Sequence, residues 1–180
     1  MIRQAASTCA ALMLLLLTLA AVLHRTPLWI NTSASLPAGL YQAHPLTQPQ
    51  RGDLVLACIP QLFAHYAYER GYLMNGRCQG EVAPIGKYVA AAAGDEVEIT
   101  PRGISVNGRL LPHSAPRARD GRGLELFSAT LHRRLGADEL LLANPMAASF
   151  DSRYFGVVRR GQLLARLEPL WVAAAPAETG

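Results

Sequence analysis

Runs of four to six residues, largely apolar and each behind a small or polar turn, set the strongest limit on this fold. They are long enough for strands and too short for stable helices. Gly52-Asp53 precedes Leu54-Val-Leu-Ala-Cys58, and Gly94-Asp95 precedes Glu96-Val-Glu-Ile-Thr100. Ala137-Asp138 precedes Glu139-Leu-Leu-Leu-Ala143, and Gly161 precedes Gln162-Leu-Leu-Ala-Arg-Leu167. Glu96 to Thr100 alternates polar and apolar residues, the period of a strand with one buried face. Ile104-Ser-Val106 and Arg109-Leu-Leu111 flank Asn107-Gly108, a pair that suits the type I′ turn of a two-residue hairpin. The pattern predicts a mainly β chain, a coiled antiparallel sheet or barrel-like domain. One stretch departs from it. Pro60 to Arg70 begins with proline, sets Leu62, Phe63, Tyr66 and Arg70 near one face, and stops at Gly71, which predicts one short helical insertion. His113 to Arg122, with proline, glycine and several charges, reads as a mobile loop, and there is no convincing internal repeat.

Ahead of the β region, Ala5 to Leu23 forms a run of 19 residues without a charge. At ~1.5 Å per residue a helix of that length spans roughly 28 Å, close to the apolar core of a bilayer. A cleaved signal peptide has a shorter apolar core and a small-x-small exit, whereas this run leaves through His24-Arg25-Thr26-Pro27. The expectation is an uncleaved signal anchor, a single transmembrane helix within residues 1–25. One domain would follow over 26–172, then a flexible tail over 173–180. The short N-terminal tail with Arg3 would stay in the cytoplasm. The chain would then be a single-pass protein of the inner membrane with its domain in the periplasm.

Seventeen basic residues against 13 acidic ones leave a net charge of +4. The arginines are scattered, without interleaved aromatic residues, so they read as a solvated surface near anionic lipid and no nucleic-acid partner is expected. Of three cysteines, Cys9 falls in the apolar run. Cys58 and Cys78 fall in the β region, where an oxidising compartment permits them to pair and a reducing one leaves two buried thiols. Cys58, His65 and Cys78 match no zinc-ligand spacing, and neither a metal nor a cofactor is expected.

Of the 17 basic residues a single one is a lysine, Lys87. It lies in Val82-Ala-Pro-Ile-Gly-Lys-Tyr-Val-Ala-Ala-Ala-Ala93, the most apolar stretch outside the N-terminal run. Arginine cannot give up its proton in a protein, whereas a buried lysine can. Desolvation disfavours the ammonium and brings it toward the working range of a general base. The plainer alternative is a lysine snorkelling from a strand edge. A histidine base has no comparable signal: none of the five histidines has an obvious partner motif, and no Gly-x-Ser-x-Gly elbow occurs.

Four segments, in order behind the apolar run, resemble the type I signal peptidases, the Ser-Lys peptidases of family S26. They are Ser33-Ala-Ser35-Leu-Pro37, Gly52-Asp53-Leu-Val55, Gly86-Lys87-Tyr-Val-Ala-Ala-Ala-Ala-Gly94-Asp95 and Ser149-Phe-Asp151-Ser152-Arg153-Tyr154-Phe155-Gly156. The general leader peptidases carry Ser-Met-x-Pro, one residue longer than Ser35-Leu36-Pro37. The Gly-Asp-Asn that usually leads their last box is replaced by Ala143-Asn144-Pro145. The run from Asn31 to Tyr41 and the insertion between Cys58 and Cys78 are more similar to the TraF branch, the conjugative-transfer peptidases.

The resemblance implies a signal-peptidase domain and residue roles within it. Ser35 aligns with the nucleophile and Lys87 with its general base. Ser33 aligns with the serine whose hydroxyl joins the Ser35 backbone N–H in an oxyanion hole. Ser149 aligns with a serine that orients the lysine amine. Asp151 and Arg153 align with an acid and a base that brace the site, and a structural ion pair is an equal reading of those two. The implied partner is a pilin or another membrane-bound precursor peptide, cleaved by water or closed head to tail by its own N-terminal amine. Two alternatives stand beside this one. The first is a general leader peptidase acting on exported proteins. The second, of another class, is an inactive β-domain that scaffolds a secretion or conjugation channel.

Overall fold

The computed structural model describes residues 11–18 and 27–173 of the 180-residue chain. Of the apolar run, residues 11–18 are helical, and the rest of the expected anchor lies outside the described residues. Among the described residues no helix is long and apolar enough to cross a membrane. Most of the expected C-terminal tail, residues 174–180, is likewise outside them.

The rest is mainly β. The strands are β1 (Leu28–Asn31), β2 (Gly39–His44), β3 (Leu54–Ala57), β4 (Ile85–Ala91), β5 (Glu96–Thr100), β6 (Gly103–Val106), β7 (Arg109–Leu110), β8 (Leu131–Arg134), β9 (Glu139–Ala143), β10 (Val158–Arg159) and β11 (Leu163–Val172). They form a seven-stranded sheet in the order β1-β2-β11-β3-β4-β9-β10 and a four-stranded sheet in the order β7-β6-β5-β8, with every pairing antiparallel. The expected hairpin is β6–β7, with Val106 opposite Arg109. Its turn residues Asn107 and Gly108 both have positive φ, 50° and 78°, the requirement of a type I′ turn.

The large sheet is curled. In a flat sheet β1 and β4, four places apart, would lie ~19 Å from each other at ~4.8 Å per strand. Yet the Trp29 ring of β1 packs on Gly86 of β4, so closely that a Cβ at residue 86 would sit 2.8 Å from Trp29 Cη2 and 2.7 Å from Leu36 Cδ1. Glycine is what permits that approach. β3 lies at the centre and is buried at all four residues. Val55 and Ala57 face one apolar cluster with Val89, Leu142 and Phe155, while Leu54 and Leu56 face another with Leu36, Tyr41 and Leu167. A third cluster joins the sheets, with Ala91 and Leu141 packed against Val97, Ile99 and Ile104.

The helical insertion is a 3₁₀ turn, Gln61–Phe63, running into the helix Ala64–Glu69. Of the four residues expected near one face, Phe63 packs on the core, Tyr66 stacks with Phe150 and Arg70 lies over the Tyr66 ring. Ala64 and Ala67 are the residues it buries, and Leu62 is 86% exposed. The small Ala face allows close approach: a Cβ at Gly80 would sit 2.5 Å from Ala64 Cβ. Cys58 and Cys78 are joined by a disulfide with Cα atoms 5.5 Å apart, closing the insertion at its base. The loop over 112–130 is pinned to this insertion. Tyr72 Oη donates to Asp120 Oδ2 at 2.5 Å, Arg70 Nη1 donates to the Glu125 carbonyl, and Arg122 Nη2 donates to the Arg70 carbonyl.

Candidate active site

Ser35 lies in the turn that joins β1 to β2, and Lys87 is the third residue of β4. Strand alternation puts Lys87 on the same face as Ile85 and Val89, both of which belong to the apolar cluster of β3 and β9. The curl of the sheet carries the Ser35 turn over to it, and Lys87 Nζ lies 2.8 Å from Ser35 Oγ. The lysine is 3% exposed. Burial pushes its amine from 10.5 down to about 8, opposed by the Asp151 carboxylate and assisted by the Arg153 guanidinium. Near neutral pH a useful fraction of that amine is unprotonated. An unprotonated amine at hydrogen-bond distance from a serine hydroxyl can take its proton as the oxygen attacks a carbonyl.

Ser33 is part of the same turn. Its Oγ lies 3.2 Å from Ser35 Oγ and donates to Asn31 Oδ1 at 2.8 Å. Asn31, 3% exposed, ends β1 and organises the whole turn. Its Nδ2 donates to the carbonyls of Ser33, Leu36 and Pro37 at 3.1, 3.0 and 3.2 Å, and its Oδ1 also accepts from the Ser33 N–H.

Asp151 and Arg153 form an ion pair with both side chains fully buried. Arg153 Nε donates to Asp151 Oδ1 at 2.8 Å, and Nη2 donates to Asp151 Oδ2 at 3.0 Å. The remaining guanidinium hydrogens go to the carbonyls of His113, Ala147 and Asn144. Asp151 also caps the short helix Ser152–Phe155. The pair joins the last sequence box to the loop after β9 and reaches the dyad through Asn144. Ser149 is 1% exposed, and its Oγ has no hydrogen-bond partner among the described residues. It lies two residues before Asp151 in the chain, and no hydrogen bond ties it to the Lys87 amine.

Asn31 and Asn144 are the site residues that sequence reasoning passed over. Each lies in a stretch noted for its resemblance or its departure, but asparagine in sequence signals a turn. Only burial among backbone carbonyls shows that its side chain is a connector. Cys58 and Cys78 are spent on each other, while His65 sits on the exposed helix beside Glu69.

An open groove of about 500 Å³ runs past Ser35 and Lys87. Ile30 and Asn31 of β1, Pro84 and Ile85, and Tyr72 and Met74 of the disulfide-closed insertion are among the residues that line it. A second hollow, about 550 Å³, lies elsewhere on the sheet by Tyr41, Tyr88 and Glu168 and contains neither residue of the pair.

Similar proteins share most of this chain. It is 40% identical over 144 residues to a plasmid transfer protein TraF of Escherichia coli, covering 78% of this chain and 81% of that protein. It is 39% identical over 145 residues to a conjugal transfer protein TraF of Agrobacterium tumefaciens (strain 15955), covering 79% and 81%. A third, the conjugal transfer protein TraF of Agrobacterium fabrum (strain C58 / ATCC 33970), is 37% identical over 146 residues, covering 79% and 81%. Among solved structures, a signal peptidase I from Enterococcus faecalis V583 aligns with a TM-score of 0.39 at 16% identity, covering 69% of this chain and all of that one, too distant a likeness to define the fold. The family model for signal peptidase, peptidase S26, matches residues 1–171. With that match and relatives near 40% identity over most of its length, the chain belongs to the S26 signal peptidase family.

Proposed function

We propose that this chain is a membrane-anchored serine endopeptidase that matures the precursor of a conjugative pilin through a Ser35–Lys87 dyad. The observation that carries the reading is the 2.8 Å approach of Lys87 Nζ to Ser35 Oγ, with the amine buried and brought down to about 8. Neutral Lys87 takes the Ser35 proton, Ser35 Oγ attacks the scissile carbonyl, and an acyl-enzyme forms as the protonated Lys87 amine gives that proton to the departing amine of the substrate and the C–N bond breaks. The Ser35 N–H and the Ser33 hydroxyl receive the developing oxyanion. The Ser33 hydroxyl, bonded to Asn31 in the free protein, turns toward the substrate in that step. One such donor is worth about 10²–10³ in rate. The substrate lies extended in the groove along the β1 edge, a strand-addition mode.

The direction toward pilin rests on the plasmid and conjugal transfer relatives and on the shortened Ser35-Leu36-Pro37 box. The same names favour the inner membrane with the domain in the periplasm, where the Cys58–Cys78 bridge is stable. Water resolves the acyl-enzyme to a trimmed chain. An N-terminal amine held nearby resolves it to a circle, aided by effective molarities far above any free amine.

The test is the intact mass of the pilin precursor co-expressed with this protein or with Ser35→Ala, Lys87→Ala or Lys87→Arg. All three variants are expected to leave the precursor unprocessed while the protein stays folded and membrane-bound. Normal product from Ser35→Ala or Lys87→Ala removes the dyad, and activity in Lys87→Arg removes the base role, because arginine stays protonated. A product one water lighter than the trimmed linear peptide identifies cyclisation.

A further inference from the structure

We propose that Asn144 is the positioning residue of the dyad, a single side-chain amide that bonds the backbone of Ser35 and both peptide groups flanking Lys87. The inference rests on the Ser35–Lys87 reading and names the group that sets their register.

The argument begins with the β4–β9 ladder. Tyr88 pairs with Ala143 and Val89 with Leu142, and pairing stops at Ala143, the last residue of β9. The main chain cannot continue the ladder, because Asn144 is followed by Pro145, which has no N–H to donate. On the β9 side of β4 this leaves the Gly86 carbonyl without a main-chain donor and the Tyr88 N–H at the last pair of the ladder. The Asn144 side chain takes them. Its Oδ1 accepts from the Tyr88 N–H at 3.2 Å, and its Nδ2 donates toward the Gly86 carbonyl at 3.4 Å. A primary amide offers one acceptor and two donors, so it replaces a peptide group and keeps one hydrogen spare. The spare hydrogen goes to the Ser35 carbonyl at 2.6 Å, the shortest bond the residue makes. One buried amide, 2% exposed, therefore ties the nucleophile's peptide to the residues on both sides of the lysine.

Asn144 is itself held. Its N–H donates to Asp151 Oδ2 at 3.2 Å, and its carbonyl accepts from Arg153 Nη2 at 3.2 Å. The buried ion pair thus fixes the Asn144 backbone, and the Asn144 side chain fixes the dyad. This gives Asp151 and Arg153 a route to the chemistry without touching the Lys87 amine. It also gives a reason for asparagine at this point of the chain. Aspartate keeps the acceptor but loses both donors, and alanine loses all three bonds.

The test exploits the single lysine of the sequence. Selective ¹³C-lysine labelling of the full chain in detergent leaves one side-chain signal, whose shift against pH reports Lys87 alone. In the native chain Ser35→Ala is expected to move the Lys87 midpoint by about 0.5 pH unit, the effect of losing one hydrogen bond. In Asn144→Asp and Asn144→Ala backgrounds the same Ser35→Ala change is expected to move it by less than a third as much. The aspartate variant retains the bond to Tyr88 and guards against loss of folding in the alanine variant. In step with this, processing of the pilin precursor is expected to lose about 10²-fold in kcat with KM unchanged. If Ser35→Ala moves the midpoint equally with and without Asn144, or if KM rises while kcat holds, the positioning role is overturned and the dyad stands. If Ser35→Ala moves nothing in the native chain, the dyad contact itself is wrong and this inference falls with it.

Discussion

Lys87→Met should make the protein more stable while abolishing catalysis, and the gain should disappear at high pH. The amine titrates at 10.5 in an ordinary setting and at about 8 in the fold, mainly because burial disfavours its charged form. Between those values the unfolded chain binds more protons than the folded one, so stability rises with pH across that window. Below about 8 both states are protonated, and the full penalty of burying the ammonium stands. At ~1.36 kcal/mol per pH unit the gap amounts to about 3 kcal/mol at pH 7. Methionine has nearly the length of lysine, no branch to clash, and a thioether suited to the cluster formed with Ile85 and Val89. Denaturant unfolding of the parent and Lys87→Met, followed by tryptophan emission at pH 7, 8, 9 and 10, measures the difference directly. Titrations shared by the two proteins cancel in it. The expected result is a gain of about 3 kcal/mol at pH 7 that shrinks to about 1 kcal/mol by pH 10. Equal stability at pH 7, or a gain that does not change with pH, would refute a buried amine held near 8.

Four other outcomes follow from the same geometry. The processing rate should fall about tenfold per pH unit below about 8 and level off above it, because only the neutral amine serves as base. A flat profile from pH 6 to 9 would argue against Lys87. Arg153→Met should lose about 3–5 kcal/mol in a denaturant melt, since it strands the Asp151 carboxylate in a fully buried site. Cys58→Ala combined with Cys78→Ala should lose about 3 kcal/mol, the entropy of a loop with a sequence separation of 20. Thermal melts with and without reductant should agree with it. Gly86→Ala should cost about 1–3 kcal/mol, because the added Cβ meets Leu36 and Trp29 at 2.7 and 2.8 Å, and processing should slow as the Ser35 turn is pushed away.

Much of this architecture is local enough to read along the chain. β3, β5, β9 and the β6–β7 hairpin lie where short apolar runs follow tight turns. Other strands left no such trace. β8 is Leu131-His-Arg-Arg134, a charged edge strand with little apolar pattern, as edges that resist further pairing tend to be. β1 is likewise a short edge strand, and β2 follows a turn whose serines and proline carry no strand pattern. The insertion helix packs through the small Ala64 and Ala67 as well as through Phe63 and Tyr66, and a count of large apolar residues does not reveal the two alanines.

What the sequence determined by itself was the cast. It supplied a single lysine in an apolar stretch, two serines ahead of a proline, an Asp-Ser-Arg box, and two cysteines flanking a helical segment. Those are properties of residue type and spacing, and they survive without coordinates. Tertiary structure decided how they meet. Ser35 and Lys87 are 52 residues apart and come within 2.8 Å only because the large sheet curls until β1 overlies β4. Asn144, 109 residues from Ser35, becomes a connector because β9 ends one residue before it, which sets its side chain against the β4 backbone at Tyr88 and Gly86. A buried polar group must find a partner, and which partner is nearest is a question of the folded chain, not of its order.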